Sequence, residues 1–237
     1  MAKSFSDLWT EFWKWNDAHP AGAFLFRGQA DNKPIIPKIG RAEYNYGEVQ
    51  ERELFRAFQR SARPFVQIPI SSDWEWLALA QHHGAPTRLA DWTTSPLVAA
   101  WFAVTSYPLD TDAMLFGLDV DSPSIETFDV ATQTTAHNAT YADPLKVKST
   151  VLLLETAPVT SRITTQRGIF TLHGDPTKAL PIPSTDQFVI PKDLRLAFQG
   201  RLLDLGVDAS HIYPDLDGLC KTLDWRLRSG KGFSAFA

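Results

Sequence analysis

One cysteine in 237 residues leaves no partner for a disulfide, so a scaffold stapled by internal disulfides is excluded and a reducing, cytosolic setting is expected. No apolar run approaches the ~20 residues that a membrane-spanning helix needs, and no membrane partner is expected. There is no excess of positive charge: 23 Lys and Arg stand against 27 Asp and Glu, a net charge of -4, so any basic surface must be a local cleft. Several chemistries lack their motifs as well. Without a Gly-x-Ser-x-Gly elbow a serine hydrolase has no nucleophile turn, and without a Gly-x-x-x-x-Gly-Lys loop there is no phosphate cradle of that kind. His82 and His83 are adjacent and point to different faces of a helix, and no His-x-x-x-His or cysteine pair joins them, so no metal is expected. Internal repeats and low-complexity tracts are absent. The first residues, MAKSFSDLWTEFWKWND, carry acids at amphipathic spacing where a signal peptide would place a basic patch and an apolar core; a helix is expected there.

What the chain does have is apolar mass, with 44% hydrophobic residues, 12% aromatics and eight tryptophans. That is enough for one substantial core, and a single domain over 1–237 is expected, with an N-terminal helix within 1–20 and a C-terminal helix and tail over 207–237. Its centre is the stretch 77–104, LALAQHHGAPTRLADWTTSPLVAAWFAV. An apolar run at helical spacing stops at Gly84 and Pro86, and a second restarts after Pro96. Between two buried helices sits a short polar hub holding Gln81, His82, His83, Thr87, Arg88, Asp91, Thr93, Thr94 and Ser95. Loops held by rigid elements are where sites are built.

Strand-length apolar runs alternate with helix-length amphipathic segments, which predicts a mixed α/β or α+β fold. Strands are expected at 23–28, 113–120, 151–155, 168–173 and 187–190, and helices at 6–17, 47–62, 73–83, 95–106 and 192–205. Ser6 is the expected N-cap of the first helix, Ser72 or Asp73 that of the third. The charged residues of 46–65, Glu48, Glu51, Arg52, Glu53, Arg56, Arg60 and Arg63 among them, read as a solvated helix face held by local pairs. Residues 121–150, rich in Thr, Asp, Ser and Pro, read as a loop excursion with little regular structure. Arg27 stands at the end of an apolar strand, with Gly28 permitting close backbone approach; Gln166 and Arg167 stand at the mouth of another. Trp92 and Trp101 read as core, although Trp92 beside the hub has a face that can stack on a base or a nicotinamide ring. His82 and Arg88 have two readings: tying the hub to Asp91 and to backbone carbonyls, or touching a ligand.

Four blocks carry a resemblance: Phe26-Arg27-Gly28, the run Ala80-Gln81-His82-His83-Gly84-Ala85-Pro86-Thr87-Arg88-Leu89-Ala90-Asp91-Trp92-Thr93, then Gln166-Arg167-Gly168-Ile169-Phe170-Thr171, and Tyr213-Pro214-Asp215-Leu216-Asp217-Gly218-Leu219. In this order they resemble the FRG domain family, named for its Phe-Arg-Gly motif; Ala90 replaces a usual second leucine and His83 a common aromatic. A fainter resemblance is to the ADP-ribosyltransferase fold, which implies a split sheet with flanking helices. That fold has an Arg at a first strand end, a Ser/Thr-rich strand end before a helix of small residues, and an acidic element before a later strand. Arg27-Gly28-Gln29, Thr93-Thr94-Ser95 and Gln166-Arg167-Gly168 fall in that order. The resemblance implies NAD as substrate, with Gln166, Arg27, His82 and Asp91 in catalysis. Arg27, Gly28, Gln29, Gln81, Arg88, Thr93, Thr94 and Ser95 would bind the nucleotide. The acceptor would be a macromolecule, either a nucleobase of DNA or RNA or a protein side chain, as for toxins and phage-defence effectors of that fold. Gln166 stands where the fold keeps its catalytic acid, and a neutral amide cannot stabilise an oxocarbenium-like centre as a carboxylate does; Glu155 and Asp91 are the available replacements. The alternative is a non-catalytic module that recognises a nucleotide or nucleic acid through Arg27, Arg88, Arg162 and Arg167.

Overall fold

The computed structural model describes residues 4–66, 69–135, 139–155 and 165–232; Arg162 and the side chain of Glu155, both considered above, lie outside it. Among the described residues, helices α1 (Phe5–Asp17), α2 (Glu48–Ala62), α3 (Asp73–His82), α4 (Pro96–Thr105), α5 (Arg195–Asp204), α6 (Ala209–Ile212) and α7 (Leu216–Arg228) surround one sheet. The sheet contains β1 (Phe24–Gln29), β2 (Leu89–Thr93), β3 (Ala113–Asp119), β4 (Ile125–Asp129), β5 (Thr134–Thr135), β6 (Val151–Glu155), β7 (Gly168–His173) and β8 (Gln187–Ile190), in the order β5-β4-β6-β7-β2-β1-β3-β8. All neighbours are antiparallel except β4 and β6. The fold is mixed α+β, as expected.

The register divides the side chains cleanly. Phe26 of β1 faces Thr93 of β2, and Asp91 faces Phe170 of β7, so Phe26, Thr93, Asp91 and Phe170 share one face. On that face α1, α4 and α5 pack over β1, β3 and β8 through Phe12, Phe26, Trp101, Leu115 and Phe198. Helices α2 and α3 pack over β4, β6 and β7 through Phe55, Trp74, Leu77, Phe128 and Leu172. The opposite face presents Leu25, Trp92, Met114, Phe116 and Leu153, covered by Ile35 and Leu180. The two ends of α4 are tied down differently. Ser95 caps its start through Val98 N, while Arg195 of α5 donates to six carbonyls near its end, among them those of Ala103 at 3.0 Å, Ser106 at 2.6 Å and Pro108 at 2.7 Å.

Four expectations need correction. Ser4, not Ser6, caps α1: its Oγ accepts from Asp7 N and donates to the Asp7 carboxylate, which puts Ser6 inside the helix. The polar hub is not one loop, because residues 89–93 pair along β7 as β2. Its Asp91 and Thr93 hid the strand by facing a cleft instead of the core. Residues 121–150 contain β4 and β5, anchored where the Phe128 ring lies 4.2 Å from Trp74. Their polar composition reflects a sheet edge. The charged face of α2 is not held by local pairs. Glu51 is buried against Arg88, Arg52 reaches Asp143 at 3.0 Å, and Glu48 pairs with Lys148. The third helix keeps its expected cap, since Ser72 and Glu75 form a reciprocal capping box.

Candidate functional site

The site lies where the sheet comes apart. β1 shares six residue pairs with β3, and β2 shares five with β7, but β1 and β2 meet only at Phe26 and Thr93. Past that bridge the strands separate. The ladder is replaced by the Arg27 side chain, whose Nη1 donates to the Asp91 carbonyl at 2.7 Å while Nε donates to Gln29 Oε1 at 3.1 Å. Gly28 follows because α4 presses on the strand there: a Cβ at that position would stand 1.9 Å from the Ala99 carbonyl oxygen and 2.7 Å from Ala103 N. The Arg-Gly pair therefore carries a cation into the gap and lets a helix lie against its back. The gap is a cleft of about 340 Å³.

Asp91 is fixed from the α3 side. Gln81 Nε2 donates to Asp91 Oδ2 at 2.7 Å, and Thr87 Oγ1 donates to Gln81 Oε1, which sets the orientation of the amide; Thr87 Oγ1 in turn accepts from Leu89 N. The Arg27 guanidinium lies 3.9 Å from the same carboxylate. Crowding by protein pushes the Asp91 carboxyl above its ordinary pKa, more than the Arg27 charge and the Gln81 hydrogen bond pull it down. The Asp91 side chain retains 57% of its surface, but that surface opens into the concavity. The same burial holds the Arg27 pKa below its usual value against the opposing pull of Asp91. On the far side of β2, Trp92 Nε1 donates to Thr171 Oγ1, which also contacts His173 Nε2. Burial, with a smaller contribution from the Arg27 charge, lowers the His173 pKa to about 4, so the imidazole is neutral at neutral pH.

The third wall comes from the entrance of β7. Thr93 Oγ1 donates to the Gln166 carbonyl at 2.7 Å and Thr94 N to that of Arg167 at 3.2 Å, with Arg167 at φ 48°. Gln166 Nε2 donates to the carbonyl of Ile212 at 3.1 Å, so the amide nitrogen holds the C-terminal segment in place. The Ser95 hydroxyl caps α4, and its backbone N–H donates to Thr93 Oγ1.

Of the expected site residues, the fold brings Arg27, Gly28, Gln81, His82, Asp91, Thr93 and Gln166 to one cleft from three distant segments. Gln29, Arg88, Thr94 and Ser95 are not part of its lining. Gln29 orients Arg27, and Thr94 and Ser95 build the turn into α4. Arg88 needs the firmest correction, being 1% exposed and held by protein groups outside the cleft lining. It donates through Nε and Nη2 to both oxygens of Glu51, through Nη1 to the carbonyl of Val147 and through Nη2 to the Tyr46 hydroxyl. The Arg88 pKa is raised: burial alone would lower it, but the hydrogen bonds and charge of Glu51 more than offset that. The spacing of Glu51 and Phe55, one turn apart on the buried side of α2, was the available signal. Phe102, Ser106 and Tyr213 also line the cleft and went unrecognised because they sit in apolar or tail segments. A second hollow, of about 500 Å³, adjoins it across these same three residues and is lined further by Trp101, Tyr107 and Trp225.

Among curated proteins, selenocysteine insertion sequence-binding protein 2 of Mus musculus is 28% identical over 92 residues, 39% of this chain. The chain spans only 11% of that relative's length. No solved structure matches the chain. Residues 22–112, which hold β1, α2, α3, β2 and α4, match the FRG domain family. The Arg-Gly step of β1 and the Gln81–Asp91 wall of the cleft thus both fall within the FRG-domain match.

Proposed function

We propose that the cleft binds NAD and that the protein transfers ADP-ribose to a macromolecular acceptor. The observation that carries this reading is the parting of β1 from β2, which places Arg27 and Asp91 in one concavity with the Gln166 segment as its third wall. Arg27 makes its two protein contacts through Nε and Nη1, leaving Nη2 to meet a diphosphate oxygen. A cleft of about 340 Å³ is in the range of small-ligand sites and takes the nicotinamide riboside end of the dinucleotide, with Phe102 and Phe170 as apolar wall. The adjoining hollow gives the rest of the dinucleotide, or the acceptor, a place across Phe102 and Tyr213.

Gln166 offers a neutral amide where a carboxylate charge is needed, and one of its N–H groups is held by the Ile212 carbonyl. Among the described residues, Asp91 is the carboxylate that lines the cleft. With its pKa raised, it can accept a proton from an acceptor N–H or O–H as that atom attacks the ribose C1 carbon and nicotinamide leaves with the electrons of the glycosidic bond. Gln81 keeps the carboxylate aimed. The reading is tested by incubating the purified protein with NAD and single-stranded RNA, DNA or protein acceptors, following nicotinamide release and label transfer from adenylate-labelled NAD. Release that depends on Asp91 supports it. Absence of release with every acceptor leaves a non-catalytic module, which the commitment of Gln166 also favours. The mouse relative is named for binding an insertion sequence, so such a module would recognise a nucleic acid.

A further inference from the structure

A second cationic feature lies at the other end of α3 from the cleft. Arg56 and Arg60 of α2, and Arg63 just past its end and still helical in φ and ψ, stand at i, i+4 and i+7, within about 60° of arc at 100° per residue, and converge on a hollow of about 440 Å³. Trp76 floors it, and Ser71, Ser72 and Asp73 form its rim. All three arginines are exposed, and none makes an ion pair or side-chain hydrogen bond among the described residues. The one carboxylate at the rim, Asp73, is engaged by Gln59 at 2.7 Å. Two residues beyond Arg63, Phe65 is 84% exposed and has no ring partner among the described residues.

Basic side chains do favour a helix C-terminus, but that effect fades within one turn and amounts to roughly 0.3–1 kcal/mol per charge. It explains neither three unpaired guanidiniums around one hollow nor a bare aromatic ring beside them. In a protein of net charge -4, these residues concentrate unpaired positive charge on one surface. The arginines span a helical rise of ~10.5 Å, long enough to meet more than one phosphate along a backbone. An exposed ring next to such a track is what a splayed base stacks on.

We propose that Arg56, Arg60, Arg63 and Phe65 form a binding surface for a single-stranded nucleic acid, the arginines on consecutive phosphates and the phenylalanine under a base. The surface goes beyond the NAD-cleaving reading and does not depend on it. Binding is measured by fluorescence anisotropy of a labelled 20-nucleotide single-stranded RNA titrated with the full chain, without NAD, from 0.05 to 0.4 M salt. Three phosphate contacts contribute about 2 to the slope of log affinity against log salt, so R56Q/R60Q/R63Q should bind about 100-fold more weakly at 0.1 M salt, with the slope reduced by about 2. F65A should bind roughly 5-fold or more weakly with the slope unchanged. Because the four side chains are exposed, the variants should unfold at the wild-type temperature, which circular dichroism verifies. The proposal is overturned if the wild type binds no RNA, if the triple variant keeps wild-type affinity and slope, or if phosphatidylserine vesicles or a phosphoserine peptide bind as tightly and F65A is silent. Since NAD is absent, nicotinamide release can fail while RNA binding succeeds, and the reverse.

Discussion

Replacing Arg88 with alanine removes a guanidinium that is 1% exposed from a carboxylate that is 4% exposed, and leaves Glu51 buried with only the Tyr46 hydroxyl at 3.1 Å. With the guanidinium go the two-pronged bond to Glu51, at 2.7 Å through Nε, and the bond to Val147 O at 2.9 Å. Stranding one member of a buried pair destabilises by about 3–5 kcal/mol, most of it from the uncompensated charge. Removing both charges should then be far milder. Arg88→Met with Glu51→Leu keeps volume and apolar contact with Phe55 and Leu145, and should recover to within about 1–2 kcal/mol of wild type. Urea unfolding of the two single variants and the double variant measures this, with unfolding slopes compared to verify a two-state transition. Nucleotide binding by the double variant should remain at the wild-type level, because Arg88 does not line the cleft. The reasoning fails if Arg88→Ala loses less than about 1 kcal/mol, or if the double variant is stable yet no longer binds nucleotide.

Arg27→Ala should weaken NAD binding by about 1.5–3 kcal/mol, seen by calorimetry, since it deletes a charge-assisted donor from a partly closed cleft; unchanged affinity would remove Arg27 from the site. Gln166→Glu should fail to raise nicotinamide release and should lower the melting temperature, because a carboxylate cannot donate to the Ile212 carbonyl; a gain in release would return Gln166 to the position of the missing acid. Gly28→Ala should not fold, with a Cβ 1.9 Å from Ala99 O, and soluble expression at wild-type yield and melting temperature would refute the close packing of α4 on β1. His173 is held neutral, with its pKa lowered to about 4 from an unfolded value of 6.5; its contribution to stability is therefore complete above pH 6.5 and is lost as pH falls toward 4, by as much as about 3 kcal/mol. Urea midpoints at pH 7 and pH 4.5 should diverge more for wild type than for His173→Gln, and equal pH dependence in the two would show that His173 titrates normally.

Periodicity alone located β1, β3, β6, β7, β8 and the long helices, because an apolar run such as Phe24–Phe26 or Leu152–Leu154, and an amphipathic face such as Leu8–Phe12, report their own surroundings. It missed β2, where Asp91 and Thr93 face a cleft, and β4, where the pattern is that of a sheet margin. Local chemistry also marked Arg27, Gln81, His82, Asp91 and Gln166 as unusual polar residues at element ends, and the fold gathers these around one opening. What local sequence could not supply was partnership. Whether an arginine in the hub serves a ligand or the core depends on whether an acid from 37 positions away is buried beside it, as Glu51 is beside Arg88. Whether Gln166 is free to act depends on a carbonyl 46 positions away. The cleft itself exists because β1 and β2 pair once and then separate beside the place where α4 packs on Gly28, and no pattern along a single strand encodes such a departure from the ladder.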